Sequence, residues 1–154
     1  MLYASYLLLI IAIVGLDQIS KYVIITHVEL GQKIEIIKNF FNITYLRNYG
    51  AGFSILQNQT YFFYVAGIIA IFLFSYYLIK DRSNNLNKAS YLMIIGGTIG
   101  NLIDRLVNTY VVDFLDFYIF GYDFPVFNIA DCFLTIGCFL LVFTLLLEES
   151  HAKN

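Results

Sequence analysis

The order of apolar and polar positions divides the chain into four long apolar blocks and one segment with a different pattern. The first block runs from about residue 2 to 25 and carries Asp17 and Lys21 in its second half. The second, 61–79, has no charge at all, and the third, 89–106, turns polar only near its end, at Asn101, Asp104 and Arg105. The fourth starts after Pro125 and covers about 128–147. Each is close to the ~20 residues that an α-helix needs to cross ~30 Å of hydrocarbon, so four transmembrane helices are expected. The first lacks a basic leading region and a small-residue cleavage site, and is read as a retained helix. Between the first two blocks, at about 27–58, "KIEII" and "FFNITYLR" are rich in β-branched and aromatic residues and partly alternate, and "NYGAG" follows with turn residues. This segment predicts a small β-sheet against the membrane surface. The expected architecture is an integral membrane four-helix bundle with that sheet, as one domain over 1–154.

Composition sharpens this reading. With 60% hydrophobic and 13% charged residues, the chain is too apolar for a water-soluble domain. A net charge of -2 gives no basic footprint for nucleic acid. Cys132 and Cys138 stand about 120° apart on one helix and are read as packing residues. Gly96, Gly97 and Gly100 sit at the small-residue spacing that lets a second helix approach. His27 and His151 are the only histidines, so there is no H-E-x-x-H zinc site, and no G-x-S-x-G elbow, Walker loop or Rossmann fingerprint occurs. Neither a metal nor an organic cofactor is expected, and nothing demands more than a monomer.

Charge placement gives an orientation. Lys80, Arg82 and Lys88 crowd the loop between the second and third blocks, whereas no Lys or Arg lies between Leu106 and Ala152. The positive-inside rule puts that loop and both termini in the cytoplasm, although Lys33, Lys38 and Arg47 then lie outside. At ~1.5 Å per residue, Asp17 stands about 22 Å above the cytoplasmic start of its helix, and Asp104 reaches a similar height. Asp131 lies about 5 Å below the outer start of the fourth helix. Ionisable groups on three helices thus share one layer near the outer face, and such groups normally face a bundle interior or a cavity. Asp17 with Lys21 and Asp104 with Arg105 also fit structural ion pairs, and Asn128 with Asp131 fits a helix cap. Asp116 and Asp123, among aromatics in the loop to the fourth helix, read as solvated.

Asp113 is different. The same loop returns it towards Asp131, and neither carboxylate has an evident cation. Two carboxylates in one site do not both ionise readily, so one keeps a proton. Such a pair can activate water with one member and polarise a carbonyl with the other, the chemistry of an aspartic protease.

Five ordered blocks carry a resemblance: "DQISK" (17–21), "RNYGAGFS" (47–54), "GNLIDR" (100–105), "VVDF" (111–114) and "FNIAD" (127–131). Together they resemble the bacterial lipoprotein signal peptidases, signal peptidase II, over nearly the whole chain. The resemblance implies an intramembrane aspartic endopeptidase of the bacterial cytoplasmic membrane with an extracytoplasmic β-cradle. It implies removal of signal peptides from prolipoproteins, cutting just before the diacylglyceryl-modified cysteine, with membrane lipids as neighbours. Its catalytic pair falls on Asp113 and Asp131, with Asn48, Asn101, Arg105 and Asn128 around the site and Asp17 shaping it. Two positions depart from the family pattern: Gly52 in the second block and Cys132 after the last. The aromatic run from Phe114 to Phe127 then suits an interfacial loop over a lipid-bearing substrate. The rival readings are a small proton-coupled transporter, in which acidic groups would spread through the membrane depth, and a non-enzymatic lipid-binding or assembly protein.

Overall fold

The computed structural model describes residues 2–50, 59–81 and 85–152. Gly52, residues 51–54 of the second block and Arg82 lie outside the described residues. Among these described residues there are four helices: α1 (Leu2–His27), α2 (Thr60–Lys80), α3 (Asn85–Asn108) and α4 (Ile129–Ala152). Four strands, β1 (Lys33–Ile37), β2 (Phe41–Asn48), β3 (Val111–Ile119) and β4 (Tyr122–Asp123), form an antiparallel sheet in the order β1-β2-β3-β4.

The helices are inside-out relative to those of a soluble protein. Along α1 the buried positions are Ile13, Asp17, Lys21 and Ile24, a stripe at helical spacing with two charges in its middle. Leu7, Leu8, Ile11, Leu16 and Ile19, all apolar, are exposed. An exposed apolar surface of this extent on every side marks a solvent of lipid. Three helices, spanning Tyr3–His27, Thr60–Lys80 and Ile129–Glu149, are long and apolar enough to cross a membrane. The third, α3, is less apolar for a structural reason: it packs against all three others. Its buried set includes Asn87, Ser90, Gly96, Gly97, Gly100, Asn101 and Asp104, so much of its surface meets protein rather than lipid.

Glycine makes that central position possible. A Cβ on Gly96 would come within 2.8 Å of the Ile13 side chain, and one on Gly97 within 2.5 Å of the Ala130 carbonyl oxygen. One face of α3 is thereby cut back for α1 and the next for α4. The packing reading of these glycines holds.

The sheet caps one end of the bundle. Ile24 and Val28 of α1 pack with Tyr45, Val112 and Phe114 in a buried cluster, which ties the sheet to the helix that precedes it. At the other end, Leu78, Tyr91, Leu92 and Ile95 form a second cluster. The expected strands over 27–58 are present as β1 and β2, but half the sheet comes from the segment taken for a loop. Residues 111–119 extend because they are β-branched and aromatic, and Phe120 (φ 52°) and Gly121 (φ 80°) reverse the chain into β4. Two consecutive left-handed residues form the tight turn that matches the twist of a β-hairpin.

Candidate active site

The site begins with a buried ion cluster. Lys21 Nζ lies 2.8 Å from Asp17 Oδ2 and 3.0 Å from Asp104 Oδ2, with all three side chains almost wholly buried. The Asp17–Lys21 pair is as the spacing predicts, but Asp104 pairs with Lys21 rather than with its neighbour Arg105. Adjacent residues on a helix point about 100° apart, so Asp104 turns towards α1 and Arg105 away from it. The backbone amides of Ala130 and Val112 donate to Asp17 Oδ1 and Asp104 Oδ2, each at 2.9 Å. Gln18 donates to Asp104 Oδ1 at 3.0 Å and to the Gly100 carbonyl at 3.1 Å. Gln18 was not singled out from sequence, although "DQISK" contains it. The cluster fastens α1, α3, the start of β3 and the start of α4 at one point.

Asp113 and Asp131 stand above this cluster, one on β3 and one in the first turn of α4. Asp113 Oδ1 accepts from Asn128 Nδ2 at 2.7 Å, and Oδ2 accepts from Asn48 Nδ2 at 2.8 Å. Asp131 Oδ1 accepts from Asn101 Nδ2 at 2.7 Å, and Oδ2 accepts from the Asn128 amide at 3.3 Å. The Asp131 amide donates to Asn128 Oδ1 at 3.0 Å. Asn128 and Asp131 therefore form a reciprocal cap at the start of α4. The capping geometry is present as the spacing predicts, and the same side-chain amide joins the cap to Asp113, serving the cap with its oxygen and Asp113 with its nitrogen.

A β-bulge aims Asn48. In the β2–β3 ladder Ile43 opposes Leu115 while Leu46 opposes Asp113, so β2 holds one extra residue across that step. Side chains alternate faces along a strand, and one inserted residue moves all later ones to the opposite face. Asn48, paired with Val111, thereby shares the Asp113 face. Burial with Asp131 nearby pushes the Asp113 carboxyl up to about 7, the loss of water being the larger cause.

The two carboxylates open on a cleft of about 510 Å³ between α2, α3, α4 and the sheet. Asn48, Asn101 and Arg105 share its polar end, while Ala66, Gly67 and Ala70 of α2 and Leu134 of α4 extend it as an apolar groove. Arg105 donates to the carbonyls of Gly50 (3.0 Å) and Asn101 (3.3 Å), and its guanidinium lies 4.5 Å from the Phe63 ring centroid. Of the seven residues expected at the site from sequence, Asn48, Asn101, Arg105, Asp113 and Asp131 line this cleft, Asn128 lies buried and bonded to both aspartates, and Asp17 belongs to the ion cluster.

The aromatic segment differs from expectation. Phe114 is buried in the core, and Phe117 stacks between Phe41 (4.5 Å) and Phe127 (5.7 Å) as part of the sheet. Phe124 and Phe127 line the cleft instead. Asp123 is exposed, but Asp116 is fully buried and pairs with Lys33 at 2.9 Å. That pair holds the Lys33 ammonium above its usual range, chiefly through the hydrogen bond to Asp116. Sequence reading missed the cation because it comes from β1, across two strand pairings. Cys132 is half-buried and Cys138 exposed.

Comparison with known proteins bears on this geometry. The family profile described as signal peptidase (SPase) II matches residues 9–147. The chain belongs to the signal peptidase II family. A lipoprotein signal peptidase of Staphylococcus aureus is 42% identical over 149 residues, covering 96% of this chain and 91% of that protein. Another, from S. aureus strain JH9, is 43% identical with the same coverage. A solved structure described as a bacterial membrane enzyme, obtained by the in meso method at 2.3 Å, superposes with a TM-score of 0.91. It is 41% identical and covers 96% of this chain and 91% of its own. A second such structure, at 1.9 Å, gives 0.84 at 42% identity and covers 93% of each chain. For a signal peptidase II chain, the block order in sequence translates into one locus in space. Residues 17–21, 47–50, 100–105, 111–114 and 127–131 all meet at the sheet end of the bundle.

Proposed function

We propose that the chain is a single-domain intramembrane aspartic endopeptidase that removes the signal peptide from prolipoproteins, cutting just before the diacylglyceryl-modified cysteine. The observation that carries this reading is the convergence of Asp113 and Asp131 on one cleft, each carboxylate held by amide donors and, among the described residues, neither in an ion pair. Family membership and the names of the relatives support the substrate class. In this account α3 is the fourth membrane span, both termini are cytoplasmic, and the sheet lies on the outer face of the bacterial cytoplasmic membrane. The enzyme acts as a monomer among membrane lipids.

The chemistry follows from a shared proton. The ionised carboxylate takes a proton from water as the oxygen attacks the scissile carbonyl carbon, while the protonated one donates to the carbonyl oxygen. Collapse of the resulting tetrahedral diol passes a proton to the departing amine and restores one proton to the pair. Arg105 and Asn48 line the cleft where the substrate backbone runs, and the apolar groove between α2 and α4 receives the signal peptide. A transporter reading would need acidic groups through the membrane depth, but Asp17, Asp104, Asp113 and Asp131 gather at one end.

The test is cleavage of a diacylglyceryl-modified prolipoprotein by purified protein in detergent, with no ion gradient. Two fragments are expected, identified by mass: the released signal peptide and a mature part with the lipidated cysteine as its new N-terminus. Intact substrate, under conditions where the protein is folded, would overturn the assignment.

A further inference from the structure

Lys21 uses its ammonium completely. Besides Asp17 and Asp104 it donates to Asn101 Oδ1 at 3.1 Å. An ammonium has no acceptor, so the Asn101 oxygen must face it and the Asn101 NH2 must face the other way, towards Asp131. The same oxygen accepts from Asn128 Nδ2 at 3.1 Å, which turns the second N–H of that amide to Asp113. The Asp131 amide fixes Asn128 from the opposite end. Every group in this chain thus has its polarity dictated by Lys21 at one terminus and a helix cap at the other.

The two carboxylates are not equivalent within it. Asp131 receives its bond from an amide backed directly by an ammonium, and a polarised donor is a stronger one. Asp131 also lies in the first turn of α4, where the helix dipole favours a negative charge. Asp113, on a strand, has neither advantage, and its donors Asn48 and Asn128 touch no cation. Among the described residues, the charged groups around the pair are Lys21, Asp17, Asp104 and Arg105.

We infer that Lys21 is a positioning residue that divides the work of the pair: through Asn101 it holds Asp131 as the ionised base and leaves the shared proton on Asp113. This rests on the aspartic reading proposed above. Lys21 touches no substrate, and its effect passes through the Asn101 amide. The buried ion cluster, which on packing grounds is only a fastening between helices, then also sets the chemistry.

The experiment compares the Lys21→Gln/Asp104→Asn double variant with the parent. Gln keeps a neutral donor, and the second change removes one of the two carboxylates that Lys21 pairs with, so the cluster keeps its net charge. Thermal stability, kcat, KM and the pH–rate profile are measured for both. In the folded double variant kcat should fall about tenfold or more with KM nearly constant, and the acid limb of the profile should move to higher pH, because the Asn101 amide that donates to Asp131 has lost the cation behind it. A folded variant with parental kcat and profile overturns the inference. So does a loss of rate that tracks the folded fraction with the profile unmoved. If the double variant does not fold, Lys21→Arg carries the test, because it keeps the charge. Its acid limb should stay in place whatever its folded fraction, and a shift would contradict the assignment. Asp113→Asn and Asp131→Asn accompany each preparation. If either remains active the aspartic reading itself fails, whereas inactive controls beside an unperturbed Lys21 variant sink only this inference.

Discussion

Asp113 and Asp131 each accept two hydrogen bonds, yet among the described residues no ion pair reaches either carboxylate. The Asp113 carboxyl, pushed up to about 7, keeps a proton at pH values where an ordinary aspartate has lost it. The proposed mechanism needs that proton, so kcat should decline as pH rises through about 7, approaching tenfold per unit, when cleavage is followed across pH. A rate flat to pH 9 would remove Asp113 as the acid. Linkage has the same sign: the folded state holds a proton that the unfolded chain releases near pH ~4, so this group's contribution to stability is lost between there and about 7. Asn128 is a second test, because it caps α4 and also donates to Asp113. Asn128→Ala should cost about 1 kcal/mol of stability through the cap. It should also lower kcat per folded molecule, since the donor to Asp113 and to Asn101 is lost. Earlier melting with unchanged kcat would reduce Asn128 to a cap. Asp17, Asn101, Asp104, Asn128 and Asp131 were legible through their helical spacing, whereas Asn48 was expected only from the resemblance carried by its block. The burial of Asp116 was not, because its cation, Lys33, comes from a strand 83 positions earlier and only sheet pairing brings the two together.

The elements that position these groups depend on close backbone approach. On Gly97 a Cβ would meet Ala130 O at 2.5 Å and Leu134 N at 3.2 Å, both main-chain atoms that cannot rotate away. Gly97→Ala should therefore push α4 off α3 and cost about 1–3 kcal/mol, read as an earlier thermal transition. Gly15, also helical, has nothing within 4 Å of a built Cβ. Gly15→Ala should be neutral or stabilising by up to about 1 kcal/mol, which controls for the backbone effect of the change. Equal behaviour of the two variants would contradict the packing account. The helices were readable because apolar runs of span length have few alternatives. The strand β3 was not read, because Asp113 and Asp116 interrupt an apolar stretch that otherwise fits a strand. The turn at Phe120-Gly121 was the available signal. The bulge in β2 leaves no mark in composition, since it is a property of the pairing between two distant segments.

For the molecule as a whole, α3 is the axis on which the site is assembled. It meets each of the other helices, and its end carries Asn101, Asp104 and Arg105 to the sheet. Less apolar than its neighbours, it gives up lipid-facing surface in exchange for a polar cluster that joins α1, β3 and α4. The cleft opens beside that cluster, so fold stability and site geometry share residues. The claim on which the rest depends is that Asp113 and Asp131 act as one hydrolytic unit. The most direct measurement is the initial cleavage rate of a diacylglyceryl-modified prolipoprotein by Asp113→Asn, Asp131→Asn and the double variant, each with thermal stability in the same detergent. Each single variant should remain folded and lose activity by at least about a hundredfold, and the double should lose little more, because groups that act together fail together. A folded single variant that cleaves at a substantial fraction of the parental rate, or losses that multiply in the double, would contradict the account.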